Sequence, residues 1–201
     1  MRIPAAAALL LGLAACGAEE VGSPPEVTRD AAYAHAGPST LSLVTVINNR
    51  SGEGAHTGLM INGVQRVMWD PAGTFNTTRI VPESGDVLYG ITPSWYEAYV
   101  DYHTRPAYRT IVQTVEVSPA VAEQAFRLAE ANGAASKATC ALSTSAILSQ
   151  LPGFEGIGST WFPAELMRRF ESVPGIEAKT YRDDTDAADP MIVTAGLEMP
   201  V

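Results

Sequence analysis

The stretch Ala55-His56-Thr57-Gly58-Leu59-Met60-Ile61-Asn62-Gly63-Val64-Gln65-Arg66-Val67-Met68-Trp69-Asp70 decides how this chain folds. Its first arm is a strand, Asn62-Gly63 is a two-residue hairpin signal, and the second arm halts at Pro71-Ala72-Gly73. An antiparallel hairpin follows, carrying His56 on one arm and Asp70 at the end of the other. With Ile61 and Val64 flanking the turn, His56 faces Trp69 and lies one step diagonal to Asp70. On an ideal ladder His56 and Asp70 then point to opposite faces, and a bulge or a bend before Pro71 is needed to unite them.

Outward from the hairpin, the pattern alternates between strands and helices. Leu41 to Ile47 is an alternating, β-branched strand ended by Asn48-Asn49-Arg50-Ser51-Gly52. Thr92-Pro93 reads as an N-cap and first helical residue, opening a helix whose aromatic face (Trp95, Tyr96, Tyr99, Val100, Tyr102) is expected in the core. Tyr108 to Val117 is a long strand. Ser118-Pro119 starts a helix that runs to Asn132 and stops at Gly133, and another helix runs from Thr139 or Cys140 to Gln150. Pro163 opens a short helix through Phe170, and Ala178 to Arg182 is a last strand. The mixture predicts an α+β fold, an antiparallel sheet with helices packed on it.

The amino terminus reads differently. Arg2, an apolar run and Leu13-Ala14-Ala15-Cys16-Gly17 have the layout of a signal peptide ending in a sequence that resembles the bacterial lipobox, in which the cysteine receives lipid. Residues 1–16 are therefore expected to be a lipoprotein signal with Cys16 as the lipidation site, 17–39 a flexible tether rich in Gly, Pro, Glu and Ala, and 40–201 the folded domain. Gly17 after that cysteine points to the outer membrane, with the domain facing the periplasm. The membrane, through the lipid, is one expected partner. A net charge of −9 argues against nucleic acid as another. The Asp-rich run from Asp183 to Asp189 lacks the spacing of a calcium loop and reads as solvated loop.

Two cysteines in an exported chain suggest a disulfide, but lipid on Cys16 leaves Cys140 unpaired. A cysteine at a helix start is activated by the exposed amides and the dipole, and the same amides can hold an oxyanion. Three histidines can serve it as base. His35 falls in the tether, His103 ends the aromatic helix where it caps terminal carbonyls, and His56 stands on a rigid strand. No Gly-x-Ser-x-Gly elbow, His-Glu-x-x-His or phosphate-binding glycine loop is present. Three scattered histidines offer no zinc spacing, so neither metal nor cofactor is expected.

Ala55-His56-Thr57-Gly58-Leu59-Met60-Ile61 and the later Thr139-Cys140-Ala141-Leu142-Ser143 resemble the two catalytic segments of the circularly permuted NlpC-like cysteine peptidases. This papain-like group includes the lecithin retinol acyltransferase-like and YiiX-like proteins, and the layout matches over roughly residues 40–150. The resemblance implies a permuted papain-like fold and a thiol hydrolase or acyltransferase acting on amide or ester bonds of a peptide, peptidoglycan or lipid. It implies Cys140 as nucleophile, His56 as base and a third polar group orienting the imidazole, for which Asp70 is the first candidate and Gln65 or His103 the alternatives. A non-catalytic lipoprotein that keeps the fold as a binding or scaffolding module is the competing expectation, with Cys140 a small buried apolar residue.

Overall fold

A computed structural model of the chain describes residues 22–76 and 78–183. The expected signal peptide, Cys16 and most of the Asp-rich run lie outside the described residues.

Among the described residues seven strands form one antiparallel sheet: β1 (Thr40–Asn48), β2 (Gly54–Asn62), β3 (Arg66–Trp69), β4 (Glu83–Ser84), β5 (Val87–Leu88), β6 (Tyr108–Glu116) and β7 (Glu177–Tyr181), in the order β4-β5-β3-β2-β1-β6-β7. Five α-helices among the described residues accompany them: α1 (Pro25–Asp30), α2 (Pro93–His103), α3 (Pro119–Asn132), α4 (Cys140–Leu148) and α5 (Pro163–Phe170). The α+β expectation therefore holds. Thr92 and Ser118 cap α2 and α3 as their sequences require, each side-chain oxygen accepting from the backbone N–H three residues on.

Because side chains alternate across a strand, the sheet has two apolar faces, and both are covered. Leu41, Leu43, Leu59, Ile61, Val67 and Trp69 pack under α3, α4 and α5. Val44, Met60, Met68 and Val112 pack under α2, against Tyr99 and Val100. The first face binds the helix that bears Cys140, and the second holds the residues that surround His56.

The hairpin register departs from expectation. Ile61 pairs with Val67 rather than Val64, and Asn62 with Arg66, so the connection has three residues, Gly63, Val64 and Gln65. Burial decides this. The observed register puts Leu59, Ile61, Val67 and Trp69 in one core and leaves Val64 79% exposed at the tip, whereas the shorter turn splits that set between faces. A displacement of three is odd, so it reverses the facing of the whole second arm. Asp70 consequently shares a face with His56.

Two further details position the site. Between β1 and β2 the register slips from Val46↔His56 to Ile47↔Gly54, a bulge at Ala55 that re-aims the strand next to His56. Gly54 then lies so close to α5 that a Cβ there would stand 2.6 Å from Ala164 N. The tether expectation is corrected from residue 22 onward. Pro25 opens α1, and this segment is tied to the sheet by Ser23 N–H donating to Glu83 O at 2.6 Å and Arg66 N–H donating to Tyr33 O at 2.7 Å.

Candidate active site

β3 ends at Trp69, opposite Leu59, so the part of β2 that carries His56 and Thr57 has no strand beside it on that edge. The start of α4 occupies the gap. The backbone N–H groups of Thr57 and Ala141 stand close enough to Cys140 Sγ to favour its thiolate. Thr139, at the N-cap, does not cap: its hydroxyl donates instead to Ser136 O at 2.7 Å. The first-turn amides of α4 thus keep their donors for the sulfur or for an oxyanion. Ala138, two residues before the cysteine, takes a left-handed φ of 63°, a strain of about 1–2 kcal/mol for a residue with a Cβ.

His56 joins the sulfur to a carboxylate. Its Nε2 donates to Asp70 Oδ1 at 2.7 Å, and the ring lies near enough to the Cys140 thiol for each to shift the other's pKa. With Nε2 engaged, Nδ1 is the nitrogen that serves sulfur. Burial pushes the imidazole toward neutrality, but the hydrogen bonds to Asp70 and Cys140, and the charges of both, outweigh it and raise the His56 pKa to about 10. For Cys140, burial works upward, while the hydrogen bond and charge of His56 and the two backbone N–H groups bring the thiol below its usual value. The two shifts run in the same sense, toward a thiolate–imidazolium pair.

Asp70 is buried, and desolvation alone would protonate it. The hydrogen bond and charge of His56, the nearby His103 and the Tyr99 hydroxyl, which donates to Oδ1 at 2.6 Å, hold it below the ordinary carboxylate range. Two glycines make this possible. A Cβ on Gly58 would stand 2.5 Å from the Tyr99 hydroxyl, and one on Gly73 would fall on the Asp70 carboxylate. Asp86 braces the cluster from below. Its carbonyl accepts from Asp70 N–H at 2.9 Å, and its carboxylate accepts from Ala72 N–H at 2.7 Å and Ala135 N–H at 2.8 Å. It thereby ties the turn after Asp70 to the loop that leads into Cys140.

His103 lies flat against His56, ring centroids 5.4 Å apart and planes 10° apart. Its Nδ1–H donates to Tyr99 O at 2.8 Å, which fixes the tautomer. Burial, with His56 adding to it, lowers its pKa, so at neutral pH the stack pairs one charged ring with one neutral ring. One donor atom each from His56, Asp70 and His103 lies within 4.8 Å of the others, so two of the scattered histidines do converge. A divalent cation bound there would have to displace the proton shared by His56 and Asp70.

Cys140, His56 and Asp70, each singled out in the sequence, thus meet at one place. Gln65, an alternative third member, sits in the hairpin connection at the far end of β2, and His103 stacks on the imidazole rather than bonding it. Ser145, at no catalytic spacing, bonds the backbone of Thr160. Tyr99 and Asp86 carry no mark of the site in the sequence: Tyr99 reads only as core, and Asp86 sits in a short β4–β5 hairpin with no sequence signal beyond Gly85. No family model, curated protein or solved structure matches the chain.

Proposed function

We propose that this protein is a thiol hydrolase or acyltransferase that cleaves an amide or ester bond through Cys140. The observation that carries the reading is the placement of Cys140, at the start of α4, next to His56, whose Nε2 is bonded to Asp70 Oδ1, the atom that also accepts from the Tyr99 hydroxyl. The thiolate attacks the carbonyl carbon, and the oxygen, now negative, is met by the first-turn amides of α4. Collapse of the tetrahedral adduct expels the amine or alcohol, which takes the proton from His56 and leaves a thioester. Water or another acceptor then gives a proton to His56, attacks the thioester and releases the acyl group, and Cys140 leaves as thiolate.

The same residues fit the permuted NlpC-like arrangement, in which the histidine strand precedes the cysteine helix. With it comes the proposal of a lipoprotein anchored through Cys16 on the periplasmic side of the outer membrane, acting on peptide, peptidoglycan or lipid. A scaffolding module that merely buries Cys140 has no use for a thiol beside a raised-pKa histidine. Alkylation of the full chain with iodoacetamide at about pH 6 tests the reading, because free cysteine is almost wholly protonated there. Cys140 should react well ahead of free cysteine, and parity would sink the proposal.

A further inference from the structure

The end of the sheet opposite His56 carries a buried positive charge that nothing in the described residues neutralises. Arg66 pairs with Asn62 across the hairpin, and both face the α2 side of the sheet. It is 4% exposed. Its Nε has no hydrogen-bond partner, Nη2 reaches only Thr92 O at 3.5 Å, and the guanidinium lies 5.4 Å from the centre of the Tyr96 ring. The ion pairs of the described residues are His56–Asp70, Arg127–Glu123, Arg168–Glu165 and Arg169–Glu165, and Arg66 belongs to none. A buried guanidinium without an anion is among the costliest arrangements a fold can retain.

That side chain borders a groove of about 420 Å³ between the sheet and the amino end of α2. Met60, Pro38 and Tyr96 give it an apolar wall, while Asn62, Ser42 and Thr114 give it polar ones. Asn62 Oδ1 is buried and accepts no hydrogen bond. The charges facing the groove are few. Arg66 is the cation, Glu97 is an exposed carboxylate on its border, and His35, whose pKa burial and Arg66 keep below the usual value, is neutral at pH 7.

We infer that this groove binds a small organic monocarboxylate whose carboxylate meets Arg66 and whose adjoining N–H or O–H meets Asn62. One unpaired cation with a carboxylate nearby matches a single negative charge and disfavours a phosphate dianion. The orphan acceptor beside it calls for a donor on the same ligand. N-acylated amino acids and the carboxyl terminus of a peptide share this chemistry. The site stands apart from Cys140: His56 and Asn62 lie six residues apart along β2, about 20 Å, with the α2-side core between them.

The test is calorimetric titration of the full chain with N-acetylglycine, its neutral methylamide, inorganic phosphate and an acetylated tripeptide acid. N-acetylglycine should bind at millimolar concentration or tighter, and the methylamide and phosphate about tenfold more weakly. Tighter binding of the tripeptide assigns the groove to peptide ends, and equal binding assigns it to free acids. Arg66→Gln should lose about tenfold in affinity while its Cys140 alkylation rate stays unchanged, which also shows that the variant is folded. If Arg66→Gln fails to fold, the Arg66 Nε–H resonance of the wild type should shift on addition of N-acetylglycine. Equal binding by the methylamide, by Arg66→Gln, or no binding and no shift would overturn the inference.

Discussion

The two ends of the α2 side of the sheet solve one problem in opposite ways. Arg66 and Asp70 project to the same face at either end of β3, and α2 spans them, its first turn beside Arg66 and its last turn beside Asp70. At the Asp70 end the buried charges have partners within the fold: the Asp70 carboxylate accepts from His56 and from the Tyr99 hydroxyl, and Cys140 lies on the other side of the imidazole. At the Arg66 end the charge is left open. A self-neutralised cluster is built to do chemistry on whatever reaches the sulfur, whereas an open buried cation is built to be completed from outside.

The sharpest way to break the contrast is to remove His56. His56→Ala should lower the alkylation rate of Cys140 at about pH 6 by roughly 100-fold, because the thiol returns toward its ordinary pKa. In the wild type the rate should rise at a lower pH than that of free cysteine, and loss of the His56 proton should show as a further change near pH 10. A stopped-flow pH profile with a chromogenic alkylator reads both outcomes.

Asp70→Asn should come next in size. It leaves a buried imidazolium without its counter-charge, at a cost of about 3–5 kcal/mol in denaturant unfolding. The pH dependence follows from the signs of the shifts. Asp70, lowered in the folded state, contributes stability that is present above the unfolded carboxylate pKa of about 3.9 and is lost as pH falls through the folded value. His56, raised from 6.5 to about 10, contributes stability that is complete below 6.5 and is lost as pH rises through about 10. The wild-type advantage over Asp70→Asn should therefore narrow at both extremes of pH.

Asp86→Ala should be intermediate. It strips the acceptor from the N–H groups of Ala72 and Ala135 and should cost about 1–3 kcal/mol, with a decline in Cys140 alkylation smaller than that of His56→Ala. The smallest effect is expected at the open end. Arg66→Met, measured without ligand, should cost less than about 1 kcal/mol or stabilise, since it exchanges an unpaired buried charge for an apolar side chain. A loss there as large as that of Asp70→Asn would show that Arg66 is paired within the chain after all.

Most of the framework was legible in the residues. Alternation marked β1, β2 and β6, and Thr92-Pro93, Ser118-Pro119 and Pro163 marked three helix starts, because caps and prolines act within a few residues of themselves. Cys140 and His56 were legible for the same local reason: one opens a helix and the other heads a strand. What failed to show was decided at a distance. Asn62-Gly63 signalled a two-residue turn, but the core on the other side of the sheet chose the register. Tyr99 looked like any apolar aromatic until Gly58 let its hydroxyl reach Asp70. Asp86 and Arg66 gain their meaning only from neighbours far off in sequence, and α1 was hidden in a composition that reads as linker.

The three-residue connection of the β2–β3 hairpin has one more consequence, for how this chain tolerates changes of length. Because the buried side chains set the ladder and the tip merely follows, residues added beside Val64 should lengthen the loop and leave Asp70 where it is. One residue added between Arg66 and Asp70 meets no such slack: every side chain beyond it turns over, and the carboxylate leaves His56 for the opposite face. Within a few codons, then, the same insertion is silent in one place and disabling in the next.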